Sequence, residues 1–187
     1  IGIILAALGI QLIISSYIGV DSISTLILGL MNFTPFSFGT WSQIISFTLL
    51  LITFFVHKEK IGIASLIYVF LLGGTLNIIS PLFINIKFTF FSFPLCLLGF
   101  ILYGIGIALY LSVNLGAGPI EGIMYIFIKI TKLPIYKARI ILDILFNLIG
   151  YILGGPIGIG TLFGIFCVGY LIDFFIKQFE LLFKKLL

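Results

Sequence analysis

The sequence predicts an all-α, polytopic helical membrane fold built from two structural repeats, with about six full spans and two short broken or re-entrant helices. Three observations predict it. First, the 187 residues are 61% hydrophobic and 9% charged, with a mean hydropathy of +1.37. A soluble domain carries about 25% charged residues, so lipid rather than water must face most of this chain. Second, apolar runs continue along the whole length. A span needs about 20 apolar residues to cross a ~30 Å hydrocarbon core, which leaves room for roughly six to eight segments and for no separate soluble domain. Third, the chain repeats itself. Gly9, Ile10, Leu12, Ser15, Gly19 and Ile23 recur 97 positions later as Gly106, Ile107, Leu109, Ser112, Gly116 and Ile120, and Ile61, Gly62, Ile63, Leu66, Phe70 and Gly73 recur 96 positions later as Ile157, Gly158, Ile159, Leu162, Phe166 and Gly169. This divides a single membrane domain into a first repeat, residues 1–92, and a second, residues 93–187, with a solute site expected between them.

The elements follow in order. Residues 1–20 are one apolar run broken only by Gln11, Ser15 and Ser16. Asp21 and Ser22 have the chemistry of an N-cap for a short helix over 23–33, and Thr34-Pro35 ends it. Residues 38–56 form a second long run, closed by His57-Lys58-Glu59-Lys60; a third covers 61–84 and stops near Asn85 and Lys87, and 88–92 is a short aromatic connector. The second half keeps this order: a span over 93–113, a break at 114–119, a short helix over 119–131, a long helix over 134–153, a glycine-rich turn at 154–160 and a last span over 161–183.

The short segments decide the topology, because about 14 residues at 1.5 Å each reach only ~21 Å. If they do not cross, each half has three spans, the halves are inverted, and Lys and Arg divide nine inside against one outside, Lys87. If they do cross, there are eight crossings, the halves are parallel, and the split is eight against two, Lys58 and Lys60. Both arrangements are multi-pass with the two termini in the cytoplasm, and the charge rule favours the inverted one by a single residue. No cleaved signal peptide is visible. The chain begins at Ile1 rather than Met, so a short preceding piece is expected.

The strongest polar constellation lies on the helix after Pro134. Tyr136, Arg139, Asp143, Asn147, Gly150 and Gly154 share one helical face. An isolated charge at the centre of a span costs about 2.5–3.5 kcal/mol on insertion scales, so Asp143 must pair, take a proton or face water. Arg139 and Asn147, one turn to either side, are its expected partners. The face is either the wall of a solute or proton path or an ion pair that joins helices. The equivalent face of the first half is milder: Gly39, Ser42, Ser46, Thr53 and His57, with Gln43 beside it. A second constellation is Gly116, Gly118 and Pro119 leading to Glu121. The free N–H groups of a broken helix can hold an anion, although Glu121 can itself satisfy that end. With Asp21 at the matching break, the candidate path comprises Asp143, Arg139, Asn147, Glu121, Gly116, Gly118, Asp21 and Ser46. On the last helix Asp173 and Lys177 are placed to pair.

Other chemistry finds no support. One loop histidine and two isolated cysteines, Cys96 and Cys167, give no H-E-x-x-H, no triad and no metal cluster, and no glycine loop precedes Lys-Ser or Lys-Thr. No catalytic residue, cofactor or metal is expected, and the protein is read as a non-enzyme. A net charge of +4 without a basic tract argues against nucleic acid.

The runs Ile18-Gly19-Val20-Asp21 through Gly39-Thr40-Trp41-Ser42, Asn114-Leu115-Gly116-Ala117-Gly118-Pro119, Gly154-Gly155-Pro156-Ile157-Gly158-Ile159-Gly160-Thr161 and Tyr170-Leu171-Ile172-Asp173 resemble the signatures of the YczE/YyaS-like, YitT-related bacterial membrane proteins, over nearly the whole chain. The resemblance implies a bacterial plasma-membrane protein for which a transport role is the expectation. The chain departs from that pattern at Asp21-Ser22-Ile23-Ser24, where the family commonly reads Pro-Trp-Asp, at Ile120-Glu121, where Arg-Asp is common, and at Asn77, where an acidic residue is common. The expected function is a transporter-like protein that moves or binds a small solute or ion between two repeats in a lipid bilayer. The alternative is a non-transporting accessory, assembly or regulatory protein with a membrane partner or a second copy. A third reading, an intramembrane enzyme on a lipid or isoprenoid, has the missing histidines against it.

Overall fold

A computed structural model describes residues 1–83 and 91–186, with side chains to 182. The expected stop at Asn85 and Lys87 and most of the 88–92 connector fall outside the described residues. Every regular element among the described residues is helical: α1 (Gly2–Ser15), α2 (Ser22–Met31), α3 (Phe38–His57), α4 (Ile63–Phe83), α5 (Ser92–Ser112), α6 (Pro119–Thr131), α7 (Ile135–Ile152) and α8 (Ile159–Leu186), with a 3-10 turn, Lys58–Lys60, between α3 and α4.

Four stretches are long and apolar enough to cross a bilayer: Phe38–Lys60, Ile63–Phe83, Ser92–Ser112 and Ile159–Leu182. The sequence reading counts about six. The difference lies in α1, whose 14 residues reach ~21 Å, and in α7, whose 18 residues include Lys137, Arg139 and Asp143. Large apolar side chains stand on the outside, among them Phe55 at 79% exposure, Ile63 at 77% and Ile78 at 73%. So extensive an apolar exterior is stable against lipid and not against water, and the chain is an integral membrane protein.

The apolar run over 1–20 does not form one helix. α1 stops at Ser15, and the backbone turns left-handed at Tyr17 (φ +57°) and Gly19 (φ +112°). After α5 the chain does the same at Asn114 (φ +51°) and Gly116 (φ +140°). Serine hydroxyls take up carbonyls near each helix end: Ser15 Oγ donates to Gln11 O at 2.8 Å and Ser112 Oγ to Ala108 O at 2.6 Å, a local bond that competes with further helix. Each break docks against the start of a helix in the other half. Gly160 N donates to Ile18 O at 2.9 Å and Val20 N to Thr161 Oγ1 at 3.1 Å. Correspondingly, Ala64 N donates to Leu115 O at 3.4 Å and Ser65 Oγ to Ala117 O at 2.6 Å.

Glycines set the central crossing. α1 and α5 run antiparallel, with Gly9 against Gly99 and Tyr103 and Gly2 against Gly106. A Cβ at Gly9 would lie 2.5 Å from Tyr103 N, so only glycine admits this approach of backbones. Around that pair the short helices cross over between halves: α2 lies along α7, with Gly29 and Thr25 against Gly150, and α6 lies along α3, with Gly122 against Thr53. Both short helices run parallel to their supports, so their N-termini start at mid-height of α7 and α3 respectively. α4 packs on α1 and α8 on α5.

Candidate functional site

On α7 a spacing of four puts Arg139, Asp143 and Asn147 on the face turned to α2. All three are buried, Asp143 to 3% exposure. Arg139 Nε donates to Asp143 Oδ2 at 2.9 Å, and Ser22 Oγ donates to Asp143 Oδ1 at 2.5 Å. Asn147 Nδ2 donates to Asp143 O at 2.9 Å, while Thr25 Oγ1 donates to Asn147 Oδ1 at 2.7 Å. Asp143 therefore has partners on both carboxylate oxygens, and the trio joins α7 to the first turn of α2. Arg139 also reaches α6, with Nη1 at 3.3 Å from Glu121 Oε1, so one guanidinium links two carboxylates from two helices.

The short helices aim their N-termini at the middle of the protein. Asp21 caps α2 by accepting from Ser24 N at 3.2 Å through Oδ2, as the sequence predicts. Its other oxygen, Oδ1, is buried without a hydrogen-bond partner among the described residues. α6 begins at Gly118 with Pro119 in its first turn, where a missing N–H costs nothing. The Glu121 carboxylate folds against Gly118, beside the open N–H groups of that turn. A Cβ at Gly118 would collide with it.

Between these two helix starts lies a central cavity of about 30 Å³, room for about two waters. Asp21 and Ser24 from α2, Ser42 and Ser46 from α3, and Pro119 and Glu121 from α6 line it. Tyr68 of α4 and Tyr103 of α5 complete the polar part of the wall, against Ile10, Ile27, Ile45 and Leu49. Both halves of the chain thus contribute.

The predicted residues divide into three groups. Asp21, Ser46 and Glu121 line the cavity. Arg139, Asp143 and Asn147 form the buried network behind it, touching it through Glu121. Gly116 belongs to neither: it packs on Gly62 and Ser65, and its carbonyl accepts from Tyr110 Oη at 3.1 Å. Gly118 supplies the α6 cap and room for the Glu121 carboxylate. Ser24, Ser42, Tyr68 and Tyr103 were not among the predicted site residues. Ser42 and Ser46 share a helical face, which is a readable signal, whereas two tyrosines 35 positions apart carry none. Asp173 and Lys177 pair at 2.7 Å on the exposed part of α8, away from the cavity.

Comparison with known proteins places this chain among relatives. An "Uncharacterized protein" of Haemophilus influenzae is 32% identical over 91% of this chain and 78% of its own length. "Uncharacterized protein YyaS" of Bacillus subtilis is 32% identical over 96% of this chain and 91% of its own. "Uncharacterized membrane protein YczE" of the same organism is 25% identical over 95% and 83%. No solved structure matches. Residues 1–177 match the pattern described as "Family of unknown function (DUF6198)". With that match over almost its whole length, the chain belongs to the DUF6198 family of YyaS- and YczE-like proteins.

Proposed function

We propose that this chain is a transporter-like protein of the bacterial plasma membrane that binds or moves a small solute or ion between two inverted repeats, with six crossings, α2 and α6 as membrane-embedded half-helices and both termini in the cytoplasm. The observation that carries the reading is the central cavity. It is lined by both halves, lies at the N-termini of two short helices, and holds two carboxylates where a purely structural core would place apolar side chains.

The repeat and its inversion have their own support. Gly9 and Gly106 occupy equivalent positions, and each meets the other half's equivalent helix. The break hydrogen bonds occur in matched pairs, Gly160 N to Ile18 O beside Ala64 N to Leu115 O. α1 and α5, equivalent helices, run antiparallel, which supports the inverted arrangement over eight alternating crossings.

The buried network favours a second reading at one point. Asp143 has a partner on both oxygens and behaves as helix cement, which a non-transporting accessory protein also needs. The two readings differ in water access. In a chain with Cys96 and Cys167 replaced by alanine, Ser46→Cys should react with a hydrophilic thiol reagent added to vesicles from at least one side, and Leu50→Cys, one turn on and buried, should not. A thiol at position 46 that stays unlabelled from both sides in a folded protein refutes the transport reading and favours the accessory one.

A further inference from the structure

We propose that the central cavity is a binding site for one dehydrated monovalent cation of sodium size, anchored by Asp21 Oδ1. The inference rests on the transport reading only for its biological use; the site itself stands on the geometry.

Three features point to it. The first is an unmet acceptor. Asp21 is 9% exposed, and its Oδ2 caps α2. Its Oδ1 has no partner among the described residues although the residue forms part of the cavity wall. A buried carboxylate oxygen without a donor is costly in a membrane interior.

The second is charge. Glu121 and Asp143 share one guanidinium, that of Arg139, and Asp21 adds a third carboxylate on the cavity wall that Glu121 also lines. The N-termini of α2 and α6 add about half a positive charge each. About one negative charge is left over, which one monovalent cation neutralises. The groups that face Asp21 from other elements supply no further cation: Glu121 on α6, Asp143 on α7, Tyr68 on α4, Tyr103 on α5, and Ser42 and Ser46 on α3.

The third is the donor set. The polar side chains on the cavity wall, Asp21, Glu121, Ser24, Ser42, Ser46 and the two tyrosines, carry oxygen and neither nitrogen nor sulfur. Hard cations take such ligands. No group of three histidine, cysteine or acidic side chains that could hold a metal ion occurs among the described residues, so the carboxylates do not suffice for a divalent ion. A volume of about 30 Å³ fits one small ion and about one water, and excludes a hydrated potassium ion.

The test is equilibrium binding of radioactive sodium to the purified full chain in lipid nanodiscs, with N-methylglucamine as the balancing cation. One saturable site per chain is expected, displaced by lithium more readily than by potassium. Asp21→Asn keeps the helix cap and should fold, yet lose sodium binding by at least ~100-fold, because the anchoring charge is gone. Ser46→Ala should weaken it by about tenfold, the worth of one neutral oxygen ligand. Ile144→Val, on the exposed side of α7, should bind as the parent does. No saturable sodium binding, or unchanged binding in a folded Asp21→Asn, overturns the proposal. So does a melting temperature that responds to pH through Asp21 but not to sodium, which would make the ligand a proton. Binding is read without flux, so a chain that holds sodium while position 46 is closed to water refutes transport and leaves the cation site standing.

Discussion

Asp143→Asn tests whether the buried network is one energetic unit. The substitution keeps the shape of the side chain and removes its charge. Asp143 accepts from Ser22 Oγ at 2.5 Å and from Arg139 Nε at 2.9 Å; an amide oxygen can keep one of these bonds, and the amide NH₂ then faces the other donor. Breaking a buried ion pair on one side costs about 3–5 kcal/mol in soluble proteins. Two features lower that here. Glu121 stays 3.3 Å from Arg139 and continues to balance the guanidinium. Polar contacts in bilayers are also weaker than expected, since the unfolded chain in lipid finds other partners. The expected loss is about 2–3 kcal/mol. Arg139→Gln removes the cation shared by two carboxylates and should cost more, about 3–5 kcal/mol. Because both variants disrupt the same pair, the double variant should be about 1–3 kcal/mol more stable than the two costs added together. Reversible unfolding of the four chains in mixed micelles measures this cycle. Additivity within about 0.5 kcal/mol would mean that the short distances carry no coupling energy and that the network is not the cement described above.

Two further predictions follow from the crossing and the topology. Gly9→Val and Gly106→Val each force a side chain into the backbone of the opposing helix, Tyr103 in one case and Ala6 in the other. Each should lower the melting temperature in detergent, by an amount equivalent to at least about 1–3 kcal/mol, and to a similar extent in the two variants; a neutral result at either position refutes the close approach. Glu59→Cys, in the exposed turn after α3, should react with an impermeant thiol reagent only from the cytoplasmic face, whereas Phe36→Cys should react only from outside. The reverse pattern would favour eight crossings and parallel halves.

Much of the local structure was legible because it depends on neighbouring residues. Asp21 was readable as a cap because its carboxylate reaches an N–H only three positions on, and α2 begins at the next residue. Pro119 and Thr131 bound α6 where the sequence places them. The Arg139–Asp143 pair was readable because a helix fixes residues four apart on one face. The end of α1 was less legible. Ser15 and Ser16 interrupt the apolar run but do not by themselves end a helix, and the left-handed turn at Tyr17 and Gly19 is held by docking on Gly158 and Thr161, some 140 positions away.

The candidate site shows the same limit. Ser22 with Asp143 and Thr25 with Asn147 are bonds across 121 and 122 positions, and no periodicity links them. From the sequence, Asp143 is the conspicuous charge, so it stands first in the predicted path; in the folded chain its oxygens are already taken, and the unmet oxygen belongs to Asp21, a residue whose local chemistry is that of an ordinary cap. Composition, apolar run length and capping chemistry determined by themselves that this is an all-helical membrane protein with short, broken elements, because those properties act within a few residues or over the whole surface. Which helix start faces which, which carboxylate is paired and which lines a cavity were decided only by tertiary structure, because α2 and α6 each complete the opposite half, so Asp21 and Glu121 reach one cavity only once both halves are packed.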